Sequence, residues 1–135
     1  MKQTELKIKS REFLHSLWLK GDQKTAQECV SAEFVYRNPF SAEDKKFEWY
    51  IEFVQLIRKS FSNIQFEVEE IIGEGDKVFV SFVLKGIHTN IFFGIPAKRN
   101  YLILEVMTLF TFRDGKILNM KSLFDMNSLK SQLSK

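Results

Sequence analysis

Between Gly73 and Asp125 the chain spells out three long antiparallel strands, joined by a long loop and a tight turn, with another tight turn leading in. From Asp76 to Ile87 nearly every second residue is apolar (Val78, Val80, Phe82, Leu84), which is the period of a half-buried strand. Gly86 to Pro96 follows as a loop, its glycines and proline predicted to stop the ladder. Tyr101 to Phe112 is apolar on both faces. Arg113-Asp114-Gly115-Lys116 is a hairpin signal, and the last strand, Lys116 to Asp125, returns beside it. A sheet of this kind needs a cover on at least one face.

The preceding residues supply that cover. Leu6, Phe13, Leu14, Leu17 and Trp18 form one apolar stripe on a helix predicted from Thr4 to Lys20, which Gly21 ends. Asp22 is placed to cap a short second helix that runs to Val30. Phe34 to Asn38 is a short strand stopped by Pro39. Ser41 or Asp44 opens a third helix to about Phe61, with Trp49, Phe53, Leu56 and Ile57 inward and Asn63 as its breaker. Ile64, Phe66 and Val68 then alternate with Gln65, Glu67 and Glu69 as a further half-buried strand. Met126 to Leu133 fits one or two helical turns. The order of elements defines an α+β protein with helices on one face of an antiparallel sheet, and no linker divides residues 1–135, so one domain is expected.

Composition narrows the function classes. At 135 residues the chain is long enough to bury a core without a disulfide or metal staple, and the single cysteine, Cys29, has no partner within the chain. The net charge of +3 arises from Lys and Arg scattered among Asp and Glu, which argues against a nucleic-acid stripe. No apolar run approaches the roughly 20 residues of a membrane span, so a cytoplasmic protein without membrane or nucleic-acid partners is expected. One Cys and two distant His make no metal set, and no phosphate loop, nucleophile elbow or dinucleotide fingerprint occurs, so no cofactor is expected. The 14 Phe against 3 Tyr predict a bulky apolar interior.

Gly86-Ile87-His88 followed by Phe92-Phe93-Gly94-Ile95-Pro96, and the hairpin Phe112-Arg113-Asp114-Gly115-Lys116-Ile117, resemble the SnoaL-like polyketide cyclase family. Tyr36-Arg37-Asn38-Pro39, Asn63-Ile64-Gln65-Phe66 and Ile71 to Val78 add to that resemblance, which spans about Phe34 to Asp125. It implies the cone of nuclear transport factor two and ketosteroid isomerase, a strongly curved antiparallel sheet wrapped around three helices and a deep pocket. The superfamily includes cyclases, isomerases, dehydratases, epoxide hydrolases and binding proteins, so the reaction has to be argued from the pocket.

In the cyclases the final strand carries a His two positions before a catalytic Asp. Aligned through Gly115-Lys116-Ile117, those positions here are Met120 and Ser122, and a serine hydroxyl cannot replace a carboxylate in proton transfer. Strand period puts Leu118, Met120, Ser122 and Phe124 on one face, beside Leu104, Val106, Thr108 and Phe110 of the neighbouring strand. Of these, Val106, Thr108, Phe110, Met120, Ser122 and Phe124, with Trp18, Tyr36, Asn38, Trp49 and Phe53, predict a mostly apolar pocket for a small hydrophobic molecule, without the cyclase pair. The alternative is a cofactor-independent cyclase or isomerase moving protons on a small carbonyl compound. Its candidates are His88, over the pocket mouth, and Asp125, with Tyr36 in support; a rim histidine and a helix-capping aspartate are their plain structural roles. His15 and Cys29 read as surface and core residues. The opposite set on the long strand, Tyr101, Ile103, Glu105, Met107 and Leu109, is too apolar to face water, and a homodimer through Ile103, Glu105, Met107 and Leu109 is expected.

Overall fold

The computed structural model describes residues 2–135. Helix α1 (Gln3–His15) continues without a break into a π-helical turn (Ser16–Lys20), which Gly21 ends, and α2 (Gln23–Cys29) follows. Asp22 caps α2 as its position predicted, accepting from the Thr25 amide at 3.1 Å. Then come β1 (Val30–Arg37), α3 (Phe47–Ser60), β2 (Phe61–Glu74), β3 (Lys77–His88), β4 (Tyr101–Arg113), β5 (Lys116–Leu123) and α4 (Met126–Leu133). The architecture is α+β, with four helices and one five-stranded curved sheet in the order β1-β5-β4-β3-β2. No helix among the described residues is long and apolar enough to cross a membrane.

The four strands from β2 to β5 are antiparallel, but β1 joins β5 in parallel, with Tyr36 opposite Met120. An antiparallel sheet throughout was expected from the hairpins. A parallel neighbour needs a long crossover, and the chain from β1 to β5 supplies one by running through α3 and three strands. The Asp114-Gly115 turn forms as predicted, both residues at positive φ (52° and 76°), the geometry that matches the twist of the strands it joins.

Three details depart from the sequence pattern. The β3 ladder does not stop at Gly86 but runs on to His88, which pairs with Phe61. Gly86 is needed there for close approach: a Cβ would meet the Phe61 Cβ at 3.2 Å and the Ser62 carbonyl oxygen at 3.4 Å. In α3 the helix starts at Phe47, so Tyr50 and Val54 turn inward while Leu56 faces solvent and Trp49 is half-buried. A bulge between Thr111 and Phe112 gives β5 an extra residue, so Ile117 rather than Leu118 is buried and the expected parity resumes at Met120. Further bulges in β2, near Asn63 and Glu69, bend the sheet around the helices.

The inner face of β4 (Leu102, Leu104, Val106, Thr108, Phe110, Phe112) is buried residue by residue, and its outer face is exposed with the same regularity. At one end of the cone the helices close tightly on the sheet. Phe13 of α1 stacks on Tyr50 at 6.0 Å and meets Phe110 edge-on at 5.9 Å. At the other end, the regular helix gives way to the π turn.

Candidate functional site

That wider end encloses a cavity of about 30 Å³, room for one or two waters. The helical side contributes Trp18 from the π turn, Tyr50, Phe53 and Ile57 from α3, and Leu129 from α4. The sheet contributes Tyr36 of β1, Phe82, Leu84 and Gly86 of β3, Leu102, Leu104 and Val106 of β4, and Ser122 at the end of β5. Phe61, Phe92 and Phe124 close the remaining sides. Lys85 also borders the space, but its ammonium pairs with Glu67 at 3.3 Å on the other face of the sheet. Among the described residues no carboxylate or imidazole lines the cavity.

Its polar groups are hydroxyls and one indole. Ser122 and Thr108 share a buried hydrogen bond at 3.0 Å, Thr108 lying one layer deeper. Burial pushes the Tyr36 phenol up to about 12, an effect that the nearby Ser122 hydroxyl partly offsets. Tyr50 is fully buried beside Tyr36, with ring centroids 4.6 Å apart, and burial raises its phenol well above the usual range. Both tyrosines are therefore neutral hydrogen-bonding groups at ordinary pH. The Trp18 indole nitrogen is sealed from solvent and makes no hydrogen bond; the nearby Tyr50 hydroxyl feels it but does not reach bonding geometry.

Further aromatic rings pack against the lining residues Phe53, Phe92 and Phe124. Phe40, in the loop after β1, touches Phe53 (5.2 Å), Phe93 (5.6 Å) and Phe124 (5.6 Å). Phe92 and Phe93 sit on a small turn between β3 and β4, closed by the Phe92 and Ile95 backbone pair. Phe93 takes a positive φ of 46°, strained for so bulky a residue, and stays half exposed, while Phe92 points into the cavity.

Six of the predicted pocket residues meet at this cavity: Trp18, Tyr36, Phe53, Val106, Ser122 and Phe124. The other five lie elsewhere, each for a visible reason. Asn38 closes its own turn, its side-chain oxygen accepting from the Phe40 and Ser41 amides at 2.9 and 3.0 Å. Trp49 stacks on the far side of Phe53 (5.6 Å) beneath the Lys45 ammonium. Thr108 is screened by Ser122, and Phe110 and its strand partner Met120 belong to the closed end of the cone.

The two proton-transfer candidates are also placed outside the cavity wall. His88 ends β3 fully buried, stacked on Phe61 at 5.1 Å, with neither ring nitrogen hydrogen-bonded. It does not sit at the mouth, because the ladder carries it past Gly86 into the sheet. Asp125 caps α4, its exposed carboxylate accepting from the Ser128 amide at 3.0 Å. Tyr50 and the set Phe82, Leu84, Leu102 and Leu104 are lining residues that the sequence reading did not single out as pocket residues. Strand period already puts Leu102 and Leu104 on the face of Val106; Tyr50 was concealed by the choice of the Trp49 and Leu56 stripe on α3.

On the outer face of β4, Ile103, Met107 and Leu109 are 48%, 53% and 38% exposed, with Glu105 among them. Gln132 of α4 lies at one end of this strand, its amide group donating to and accepting from the Ile103 backbone at 2.9 and 2.8 Å. Among the described residues no cluster of three His, Cys, Asp or Glu could hold a metal ion.

A curved sheet folded over helices around an apolar cavity defines a protein of the nuclear transport factor two-like class, and solved structures agree. AclR from Streptomyces galilaeus, a candidate hydroxylase, superposes with a TM-score of 0.87 at 20% identity, covering 98% of each chain. IdmH from Streptomyces antibioticus, a candidate polyketide cyclase, gives 0.83 at 20% identity over 96% of this chain and 99% of its own. TsrD from Streptomyces laurentii gives 0.84 at 20% identity, over 98% and 97%. At such identities the likeness concerns the fold. No curated protein matches the sequence. The family model of the SnoaL-like polyketide cyclases matches residues 8–133, and the chain belongs to that family.

Proposed function

We propose that the protein binds a small, mostly apolar molecule in the cone and carries out no acid-base chemistry on it. The observation that supports this is the wall: hydrocarbon and aromatic rings interrupted only by neutral hydroxyls and one indole, with Met120 and Ser122 where the family's cyclases have His and Asp. Proton abstraction beside a carbonyl needs a positioned base of suitable pKa, and a tyrosine near 12 is a donor at neutral pH, not a base. The cavity as it stands takes a water or two, so a larger guest requires the lining aromatic side chains to move. Isothermal titration with small cyclic hydrocarbons and ketones is expected to show saturable one-to-one binding. Leu104→Phe, which fills the cavity, abolishes it while thermal melting still shows a cooperative fold. Turnover of an aromatic polyketide precursor by the purified protein would sink the proposal.

We also propose that a second copy of the chain covers the outer face of β4. A strand apolar on both sides needs two covers, and the helices provide one. Glu105 would then find its counter-charge across the interface, where Lys121 of the neighbouring strand is an available cation. Light scattering is expected to give twice the chain mass at micromolar concentration, and Met107→Glu to halve it. A monomeric wild type contradicts the proposal.

A further inference from the structure

One buried donor in the cavity has no acceptor. The Trp18 side chain is 3% exposed and lines the cavity, and its sealed Nε1–H makes no hydrogen bond although the Tyr50 hydroxyl lies close to it. A buried donor left unpaired forfeits the hydrogen bond it made with water, so such groups persist where something else completes them. The backbone that carries it is equally unusual. α1 is regular as far as His15, and only then do five residues wind as a π turn, a local widening that shifts the phase of every later side chain. Two contacts hold that turn in place. The Arg58 guanidinium donates to the Trp18 carbonyl at 2.6 Å, and Gly21 ends the turn at a φ of 64° with the same Arg58 side chain packed against it. The backbone that carries the indole is therefore held from two sides.

We infer that Trp18 Nε1–H is the anchor for an acceptor oxygen on the ligand, so that the molecule taken up is an apolar ketone, ether or ester and not a plain hydrocarbon. Tyr50 and the neighbouring Tyr36 line the same cavity, and a phenol hydroxyl can donate to the same oxygen's second lone pair. A tryptophan N–H only donates, so it selects an acceptor and rejects a ligand donor at that point. The inference rests on the binding reading above, but it can fail separately.

The test uses two ligands of one shape, cyclohexanone and methylenecyclohexane, titrated into the wild type and into Trp18→Phe. The wild type is expected to bind the ketone about three- to tenfold more tightly than the hydrocarbon, the difference one net hydrogen bond makes. Trp18→Phe is expected to bind both within about twofold of each other, with the affinity for the hydrocarbon retained. In the wild type the ketone, and not the hydrocarbon, is expected to move the Trp18 indole proton downfield in the NMR spectrum, a readout that holds even where the variant folds poorly. Equal binding of the two ligands by the wild type would leave the apolar site standing and overturn the anchor, as expected if a trapped water already satisfies the indole. A ketone preference that survives in Trp18→Phe would overturn it too. Binding of neither ligand would overturn the binding reading and the anchor together.

Discussion

The two ends of the cone are made from the same strands and behave differently. At the closed end, Phe13, Val78, Val80, Phe110, Ile117 and Met120 are all fully buried and leave no space. At the wide end, Phe82, Leu84, Leu104 and Val106, a step or two along the same strand faces, border a cavity. The sheet face is continuous, so the difference originates on the helical side. Where α1 is regular it sets Phe13 between Tyr50 and Phe110; where it widens into the π turn it places Trp18 in the wall of the cavity. Tight packing and the cavity are thus separated along one helix. The polar groups divide in the same way, since the Thr108 and Ser122 pair marks the boundary between the two ends.

The two ends should differ most under side-chain truncation. Phe110→Ala removes a ring from close packing and is expected to cost about 3–5 kcal/mol in urea denaturation. Phe92→Ala only enlarges space that already exists beside a loop, and is expected to cost less than half as much; equal losses would mean the ends are packed alike.

Alkaline pH probes the wide end next. The folded-state pKa of Tyr36 is raised from 10.0 to about 12, so the phenol's contribution is fully present below pH 10 and is lost as pH rises through 12. Two units correspond to about 2–3 kcal/mol of stability. Tyr50 shifts in the same direction and adds to the loss. Denaturation midpoints measured from pH 8 upward should fall past pH 10, and Tyr36→Phe should reduce the slope without removing it.

Smaller effects belong to the boundary and to His88. Ser122→Ala strands the Thr108 hydroxyl and is expected to cost about 1–3 kcal/mol, whereas Ser122→Ala with Thr108→Val, which removes both partners, comes out nearer neutral. A double variant no better than the single one would mean the pair is not a closed hydrogen bond. His88→Leu replaces a buried imidazole without partners and is expected to raise stability by about 1 kcal/mol. A loss of that size would place an unseen partner on the ring.

Much of the fold was legible because its signals are local. The Asp114-Gly115 turn, the alternation along β4, the Asp22 cap and the bounds of α4 all follow from residues close in sequence. Ser122, Val106 and Tyr36 were legible as cavity residues from strand parity and family alignment. The rest depended on distant contacts. A π turn leaves no composition signal of its own, so the orientation of Trp18 was hidden. Gly86 looked like a loop glycine because the Phe61 side chain that demands it is 25 residues away in the chain. The bulge opposite Thr111 exchanged Ile117 for Leu118, since the extra residue reverses parity on one side of it alone. α3 offers two overlapping apolar stripes, and its start at Phe47, which Ser41 and Asp44 did not mark, selects the one containing Tyr50.

Ligands are proposed to enter the wide end and meet Trp18. The chain's two tryptophans test it directly, because Trp18 borders the cavity and Trp49 lies outside it, stacked on Phe53. Titrating cyclohexanone into ¹⁵N-labelled protein and following the two indole N–H signals is predicted to shift Trp18 in a saturable manner and leave Trp49 nearly still. Movement of Trp49 alone, or of neither signal up to millimolar ligand, would contradict the account.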